Sequence, residues 1–237
     1  MPSPYSLDVN HHCTTCTHRQ NFCVMGPQSQ ATLDSIKFTA MYPKGALLFV
    51  EGEAPRGVFV LCSGKVKLTT SSSEGRTLIV RIAGPGEVLG SSSVLLRRAY
   101  EISAETIEPC QINFIRTEEF MAWIQNDREA MMSVARQLSG DYYAAQREIR
   151  SFGLAQTTTE KLARLMMDWC DERGEATEQG IRLKVLLTHE EIAQMIGTTR
   201  ETATRLVTSL RAKKVIEIKG STVNVMKYAA LEAMVTV

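Results

Sequence analysis

Residues 187–225 limit the fold of this chain more than any other segment. Thr188 is followed three residues later by Glu191, which is the pattern of a capping box at the start of a helix. Gly197 interrupts that helix, and either of the two threonines after it can cap a second one. Two short helices joined by a glycine-containing turn predict a helix-turn-helix, a motif that places its second helix in the major groove of DNA.

The second helix has an apolar face and a polar face. Its predicted inward residues are Ala203, Leu206, Val207 and Leu210, and its predicted outward residues are Arg200, Glu201, Thr204 and Arg205. An arginine can bond guanine O6 and N7 together, and a carboxylate can accept from cytosine N4. Arg200, Glu201 and Arg205 are therefore predicted to read a G/C-containing step, although the same three residues also fit a solvated helix face.

The positive charge that DNA requires is local in this sequence. The whole chain has a net charge of only +1, whereas residues 197–220 contain six basic and two acidic side chains. Such a patch attracts phosphates. Polar and apolar residues then alternate at 215–218 and 222–225 around Gly220, which predicts a β-hairpin wing.

Upstream of these helices the pattern is typical of β-structure. After a short predicted helix at residues 28–39, β-rich runs separated by glycine and proline turns occupy 46–50, 58–62, 66–70, 77–82 and 111–115. Many short strands at this spacing predict an antiparallel sandwich or roll.

A long helix is predicted from Asp127 onward. Its apolar stripe consists of Met131, Val134, Leu138, Ala145, Ile149 and Phe152, and it can pack against the roll or form a seam with a second subunit. Another helix is predicted at 157–173, followed by a polar connection at 174–180. The predicted fold class is α+β, with a cysteine-rich segment (1–29), a β-roll (30–126), a dimerisation helix (127–152) and a winged helix-turn-helix (153–237).

Three of the six cysteines, Cys13, Cys16 and Cys23, lie within eleven residues of one another. No apolar run is long enough to span a membrane, so we expect a cytoplasmic protein. In that compartment the cysteines are expected to be ligands, reactive thiols or core residues rather than disulfides. Three alternatives stay open: an iron–sulfur cluster, a zinc site completed by histidines, and a dithiol switch at Cys13 and Cys16. The available histidines are His11, His12 and His18. An oxidoreductase is not expected, because the pair lacks a βαβ context.

The motifs together resemble the CRP/FNR family of transcription regulators. Three stretches carry the resemblance: Leu187 to Arg205, Ser63-Gly64-Lys65-Val66 and Gly84-Pro85-Gly86-Glu87. The order of roll, long helix and helix-turn-helix also matches the family, so the resemblance covers nearly the whole chain. It implies base contacts by Arg200, Glu201 and Arg205 and phosphate contacts by Thr188, Thr199 and Thr202. The implied partners are double-stranded DNA with palindromic TGTGA-like half-sites, a second copy of the chain through residues 127–152, and RNA polymerase.

The same resemblance suggests which effector such a regulator would respond to. In nucleotide-binding members a glutamate holds the ribose and an Arg-Ser or Arg-Thr pair holds the phosphate, but Ser91 and Ile102-Ser103 stand at those places here. Arg97 or Arg98 is the remaining candidate for the phosphate, which needs a guanidinium partner. The N-terminus resembles FNR-type oxygen sensors, which implies a 4Fe-4S cluster held by Cys13, Cys16, Cys23 and Cys110. Cys62 and Cys170 are predicted to be core or half-buried thiols.

Overall fold

The computed structural model of the chain describes residues 13–16, 21–155, 157–185 and 187–235. Two compact units follow one another along the chain, and the boundary between them lies in a long helix, between Tyr143 and Ala144. No described helix is both long and apolar enough to cross a membrane.

The first unit is an antiparallel β-roll. Its strands are β1 (Phe38–Tyr42), β2 (Leu47–Phe49), β3 (Gly57–Ser63), β4 (Val66–Ser71), β5 (Thr77–Ala83), β6 (Val88–Leu89), β7 (Ser103–Thr106) and β8 (Cys110–Arg116). They form two four-stranded sheets with the orders β1-β8-β3-β6 and β2-β7-β4-β5. The predicted roll is confirmed, because alternating β-branched residues and glycine turns favour short paired strands.

Each face of the first sheet contributes to a different core. Side chains such as Leu61 and Ile112 pack between the two sheets. Val58, Val60 and Ile115 point the other way, into a core shared with helices and with the cysteine-rich segment. This division follows from the alternation of side chains along a strand.

Four helices belong wholly or partly to the first unit: α1 (Pro27–Ile36), α2 (Ser91–Leu96), α3 (Thr117–Asn126) and α4 (Arg128–Leu154). The helix predicted at 28–39 ends earlier, because the chain from Phe38 pairs with β8 instead. Neither α2 nor α3 was predicted from the sequence. The apolar side of α3, Phe120, Trp123 and Ile124, is buried against the outer face of the first sheet.

Helix α4 is a single helix of 27 residues, as predicted. Val134 is buried and Leu138 half-buried against the core of the first unit. Met131 is 40% exposed and Ile149 is 73% exposed, so the predicted stripe is not covered along its whole length within one chain. The side chain of Phe152 lies outside the described part.

The second unit is a winged helix-turn-helix. It contains α5 (Thr158–Arg173), α6 (His189–Ile196), α7 (Arg200–Ala212), α8 (Tyr228–Val235) and the strands β9 (Glu175–Thr177), β10 (Gly180–Lys184), β11 (Ile216–Lys219) and β12 (Thr222–Val225). The segment predicted as a polar connection contributes β9 and the start of β10, so the sheet has the order β11-β12-β10-β9 rather than being a two-stranded hairpin. One core, including Trp169, Ile196 and Val207, joins the helices to this sheet.

Candidate nucleic-acid interface and thiol cluster

The start of α6 is fixed by a capping box. The Thr188 hydroxyl accepts a hydrogen bond from the Glu191 N–H at 3.2 Å, and the Glu191 carboxylate accepts from the Thr188 N–H at 2.8 Å. Gly197 ends the helix in the left-handed region at φ +65°, where glycine carries no Cβ strain. Gly197 thus sets the turn between α6 and α7.

Helix α7 presents the predicted base-reading residues to solvent. Ala203, Val207 and Leu210 are buried against α6 and the sheet, and Leu206 is half-buried. Arg200, Glu201 and Arg205 are all exposed on the opposite side. The predicted inward and outward faces of α7 are therefore confirmed except at Thr204, which was predicted to point outward and is half-buried. Three side chains that can bond base edges are exposed.

The threonines proposed to contact phosphates stand at helix starts. Thr199 caps α7, and its hydroxyl accepts from the Thr202 N–H at 3.3 Å. Thr188 and Thr199 are exposed and Thr202 is half-buried. Hydrogen bonds from its own backbone N–H and the Thr199 hydroxyl lower the pKa of Glu201. Glu201 is consequently ionised near neutral pH and can act as an acceptor.

A contact that the sequence did not reveal joins α6 to α7. The Nδ1 atom of His189 lies 3.0 Å from the Thr204 hydroxyl oxygen. His189 is the first residue of α6, and Thr204 stands one residue before Arg205. The contact sets the position of the recognition helix relative to α6. The spacing of residues within one helix could not predict this contact, because His189 and Thr204 lie on different helices.

Further basic side chains are exposed at the end of α7 and on the wing. Arg211 lies in the last turn of α7, Lys213 and Lys214 follow the helix directly, and Lys219 lies on β11. Strands β11 and β12 pair antiparallel, with Lys219 opposite Thr222 at the tip. The local positive charge predicted from the sequence is therefore exposed at the C-terminal end of α7 and at the wing tip.

Asp34 anchors the start of the cysteine-rich segment to α1. Its carboxylate accepts from the backbone N–H groups of Cys13 at 2.8 Å and Thr14 at 3.3 Å. The Nζ of Lys37 lies 2.6 Å from the Asp34 carboxylate and 3.4 Å from the Cys13 sulfur. Burial opposes ionisation of Asp34, but the bonds from Lys37 and the two backbone groups lower its pKa to about 2. An ammonium group therefore stands beside the Cys13 thiol.

The three N-terminal thiols lie near one another. Burial raises the pKa of the Cys13 thiol to about 11. Burial, with smaller contributions from the neighbouring Cys13 and Cys16 groups, raises the pKa of Cys23 to about 12. Cys13 and Cys23 both pack against the core on the outer face of the first sheet. The three thiols are close enough for their charges to interact, and their role as a ligand set stays a prediction.

The structure does not bring Cys110 to these three thiols. Cys110 is completely buried in the core between the two sheets, and its thiol donates to the carbonyl oxygens of Glu108 at 3.2 Å and Lys65 at 3.4 Å. The thiol that does lie near them is Cys62, which was predicted to be a core or half-buried thiol. Cys62 is half-buried, and the Asn113 amide donates to its sulfur at 3.1 Å.

The described residues contain no preformed metal site. Among the described residues no three His, Cys, Asp or Glu side chains are arranged as a preformed metal site. Cysteine thiolates are the ligand type that an iron–sulfur cluster or zinc requires, but the described arrangement of Cys13, Cys16, Cys23 and Cys62 is not that of a metal site. His11, His12 and His18, the candidates for a mixed zinc site, lie outside the described residues.

The roll has a polar corner where a nucleotide phosphate would be expected. Ser91 and Ser93 are buried at the start of α2, whereas both Arg97 and Arg98 are exposed at its end. The Ser103 hydroxyl accepts from the Glu51 N–H at 2.9 Å. Neither of the two arginines considered for the phosphate is therefore buried in the roll.

Polar contacts attach the first half of α4 to the roll. Gln137 bonds both backbone groups of Val88, accepting at 2.8 Å and donating at 2.7 Å. Arg81 pairs with Glu87 and, at 3.2 Å, with Asp141 of α4. Together these contacts hold the helix against β6.

The cysteine-rich segment is also bonded to α4. The Glu129 carboxylate accepts from the Gly26 N–H at 2.6 Å, and the Ser133 hydroxyl donates to the Val24 carbonyl at 3.2 Å. Val24 and Gly26 follow Cys23 directly in the chain. Farther along, α4 exposes Met132, Tyr142, Tyr143 and Ile149. One helix thus contacts the thiol segment and presents an apolar surface.

Comparison with known proteins divides the chain in the same way. Residues 40–127 match the cyclic nucleotide-binding domain family, and residues 160–234 match the Crp-like helix-turn-helix domain family. The cyclic AMP receptor protein of Thermus thermophilus is 25% identical over 192 residues, which cover 81% of this chain and 85% of that protein.

Two further comparisons extend over most of the chain. The nitrogen fixation regulation protein FixK of Rhizobium meliloti is 24% identical over 232 residues, which cover 98% of this chain and 95% of FixK. Among solved structures, the c-di-GMP-responsive global regulator CLP of Xanthomonas campestris has a TM-score of 0.74 at 21% identity. That similarity covers 84% of this chain and 99% of CLP, and it shows a shared fold.

Proposed function

We propose that this chain is a DNA-binding transcription regulator of the CRP/FNR family and that it reports oxygen, nitric oxide or redox state to its operator through a 4Fe-4S cluster. The observation that carries this proposal is the grouping of the Cys13, Cys16 and Cys23 thiols beside Lys37. Such a cluster, when bound, supplies reactivity toward oxygen and nitric oxide. A fourth ligand is required in addition to these three.

Lys37 and Asp34 suit thiols that become negatively charged when they bind a metal. Burial raises the pKa of the Cys13 and Cys23 thiols, so the neutral forms of these two are favoured when no cation is bound. Binding of a soft metal removes the thiol protons, and the Lys37 ammonium then offsets part of the negative charge on Cys13. Asp34 keeps that ammonium in place through its 2.6 Å contact.

The signal has a short path from the thiols to α4. Cys23 is followed directly by the backbone that bonds Glu129 and Ser133. A displacement of Cys23 consequently moves groups that are hydrogen-bonded to the first two turns of α4. We expect the chain to act as a homodimer through residues 127–152, because the exposed Met132, Tyr142 and Ile149 need a partner surface.

At the other end, α7 provides the operator contacts. Arg200, Glu201 and Arg205 would read a G/C-containing step, and Thr188, Thr199 and Thr202 would bond phosphates. Two copies related by a two-fold axis fit a palindromic duplex with TGTGA-like half-sites about one helical turn apart. RNA polymerase is the further partner that a regulator of this type would contact.

The proposal is tested on protein purified without oxygen. We expect bound iron and acid-labile sulfide, and an affinity for a duplex with two inverted TGTGA half-sites that falls on exposure to air. A variant with serine at Cys13, Cys16 and Cys23 should lose the iron and the response to air, whereas Cys170→Ser, in the other unit, should keep both. Stoichiometric zinc in place of iron, with affinity unaffected by air, would reject the cluster.

A second candidate signal is a small nucleotide. The match to the cyclic nucleotide-binding domain family and the buried hydroxyls of Ser91 and Ser93 favour it. Relatives are named as a cyclic AMP receptor and a c-di-GMP-responsive regulator. A nucleotide that binds only the folded protein raises the melting temperature, so titration with cyclic AMP and c-di-GMP distinguishes this candidate. A shift that persists in the triple serine variant would assign sensing to the roll, with the cysteines left to bind zinc or act as a thiol switch.

A further inference from the structure

A cavity of about 630 Å³ lies between the segment that follows Cys23 and the first turns of α4. Residues 24–26 line one side of it, and four residues of α4 line the other: Arg128, Glu129, Met132 and Arg136. All of them belong to the first unit. Small-molecule sites in proteins have volumes of about 300–1,000 Å³, so this cavity is large enough for a ligand. Neither the thiols nor the exposed face of α7 contributes to its lining.

The lining carries positive charge that the chain leaves unpaired. Arg128 and Arg136 are both exposed, and neither guanidinium has a hydrogen-bond or ion-pair partner in the part of the chain that the structure describes. Glu129 is the one acidic residue of the lining, and its carboxylate already accepts from the Gly26 N–H and the Ser29 hydroxyl. Guanidinium groups bond carboxylates and phosphates through fixed pairs of N–H donors. The charge of this cavity therefore suits an anion.

An apolar surface separates the two arginines. Met132 stands four residues from each of them along α4, and positions four apart are neighbours on a helix surface. Met132 is 45% exposed and Val24, on the opposite side of the cavity, is 54% exposed. Apolar side chains that are exposed together in a concave place mark a binding surface. Along α4 the order is thus cationic, apolar, cationic, with the Cα atoms of the arginines about 12 Å apart at the helical rise per residue.

A second copy of the chain is the competing occupant, because Met132 also belongs to the surface that the proposed homodimer would cover. The described stretch of α4 that would approach from such a copy exposes Met131, Met132, Tyr142 and Tyr143. An apolar surface of this kind would leave the guanidinium groups of Arg128 and Arg136 without partners. Charge complementarity therefore favours a small anion over the second copy at this end of α4.

We infer that this cavity binds an organic diacid, in which an apolar chain joins two anionic ends. Each end bonds one of the guanidinium groups of Arg128 and Arg136, and the apolar chain covers Met132 and Val24. The site goes beyond the proposed function, because it needs no metal at the thiols and no ligand in the roll. A diacid bound here contacts both the segment after Cys23 and α4, which the bonds of Glu129 and Ser133 already join.

The test uses decanedioate as the probe and isothermal titration calorimetry of the full chain at low ionic strength. Decanedioate in its extended form is about as long as the separation of the two arginines. Butanedioate has the same two charges without the length, and decanoate has the apolar chain with a single charge. We expect decanedioate to bind once per chain and roughly fivefold or more tightly than either of the others, with an affinity that falls as salt is added. Equal affinities for decanedioate and butanedioate would overturn the inference, because the apolar surface would then contribute nothing.

Variants locate the binding on the chain. Arg128→Gln and Arg136→Gln should each weaken decanedioate binding by roughly fivefold, and the double variant should abolish it. Arg98→Gln, an exposed arginine of the roll far from this lining in sequence, is the matched control and should bind as the wild type does. Glu129→Gln should strengthen binding, because it removes the negative charge of the lining and keeps an acceptor oxygen. Melting temperatures measured without ligand check that each variant is folded.

Three results would overturn the site. They are unchanged binding in the double arginine variant, loss of binding in Arg98→Gln, and an affinity for decanedioate that falls as the protein concentration is raised through dimerisation. The last result would assign the cavity to a second copy of the chain. The triple serine variant at Cys13, Cys16 and Cys23 separates this inference from the proposed function: we expect it to bind decanedioate as the wild type does. A wild-type chain that takes up no iron but binds decanedioate would reject the cluster and support the cavity.

Discussion

The carboxylate of Glu129 on α4 accepts a 2.6 Å hydrogen bond from the backbone N–H of Gly26, three residues after Cys23. The Ser29 hydroxyl donates to the same carboxylate oxygen at 3.3 Å. Glu129 is therefore one of two residues, with Ser133, through which α4 holds the chain that follows Cys23. If a signal passes from the thiols to the helix, this carboxylate lies on one of its two hydrogen-bonded routes.

Replacement of Glu129 should uncouple the thiols from α4. In Glu129→Ala we expect the metal content of the wild type but a smaller change in DNA affinity on exposure to air. A hydrogen bond of this kind contributes about 1 kcal/mol, so the response should shrink by roughly fivefold. Glu129→Gln, which keeps an acceptor oxygen, is the matched control and should stay closer to the wild type. An undiminished response in the alanine variant would show that the signal does not pass through this contact.

Asp127 makes the stability of α4 depend on pH. Its carboxylate accepts from the N–H groups of Glu129 at 2.9 Å and Ala130 at 3.0 Å, and from the Trp123 indole at 3.2 Å. Burial alone would raise the pKa of Asp127, but these bonds and one from Ser29 lower it overall. Because the folded pKa lies below the unfolded value, the stabilisation is complete above about pH 4 and is lost as pH falls through the folded value.

We therefore expect Asp127→Ala to lower the free energy of unfolding by about 1 kcal/mol at pH 7, which is typical of an N-cap. The difference in the free energy of unfolding between Asp127→Ala and the wild type should become progressively smaller below pH 4. Urea unfolding followed by Trp123 fluorescence at a series of pH values measures it. A difference that stays constant down to pH 2 would contradict an ionised cap.

The contact between His189 and Thr204 should fix the position of α7 relative to α6. His189→Ala and Thr204→Val each remove it, and the double variant completes a thermodynamic cycle. We expect a coupling energy of about 1 kcal/mol in thermal unfolding and a weaker affinity for all duplexes, specific and scrambled alike. Strictly additive effects of the two changes would show that the 3.0 Å contact stabilises nothing.

Much of this fold could be predicted because its signals are local. The capping box at Thr188, the turn at Gly197 and the apolar spacing of α7 lie within a few residues of each other, and the structure confirms each of them. The helix α2 was missed because six residues that begin with three serines carry no helical periodicity. Strands β9 and β10 were missed because their burial is partial and their sequence is polar.

The thiol site was predictable only in part, for a similar reason. Cys13, Cys16 and Cys23 are close in sequence, so their spacing alone indicates a ligand set. The relation between Cys62 and Cys13 depends on which face of β3 the thiol occupies and on where the N-terminal segment lies. Alternation along β3 does not give the first of these, because the pairing of β3 with β8 shifts register between Leu61 and Ser63. The second is a tertiary property without a local pattern.

Base recognition depends on the exposed face of α7, and Arg205 is its most direct test. Its guanidinium is exposed in the second turn of a helix whose opposite face is buried, so Arg205→Ala should leave the fold and melting temperature unchanged. A bidentate contact to guanine contributes about 1–3 kcal/mol of discrimination. We expect the ratio of affinities for the TGTGA duplex and a scrambled duplex to fall by roughly tenfold or more. Lys213→Ala, at the exposed end of α7, is the matched control: it should weaken both duplexes equally and reduce the dependence of affinity on salt. If the ratio survives in Arg205→Ala, the side chain does not read bases, and α7 contributes only phosphate contacts at this position.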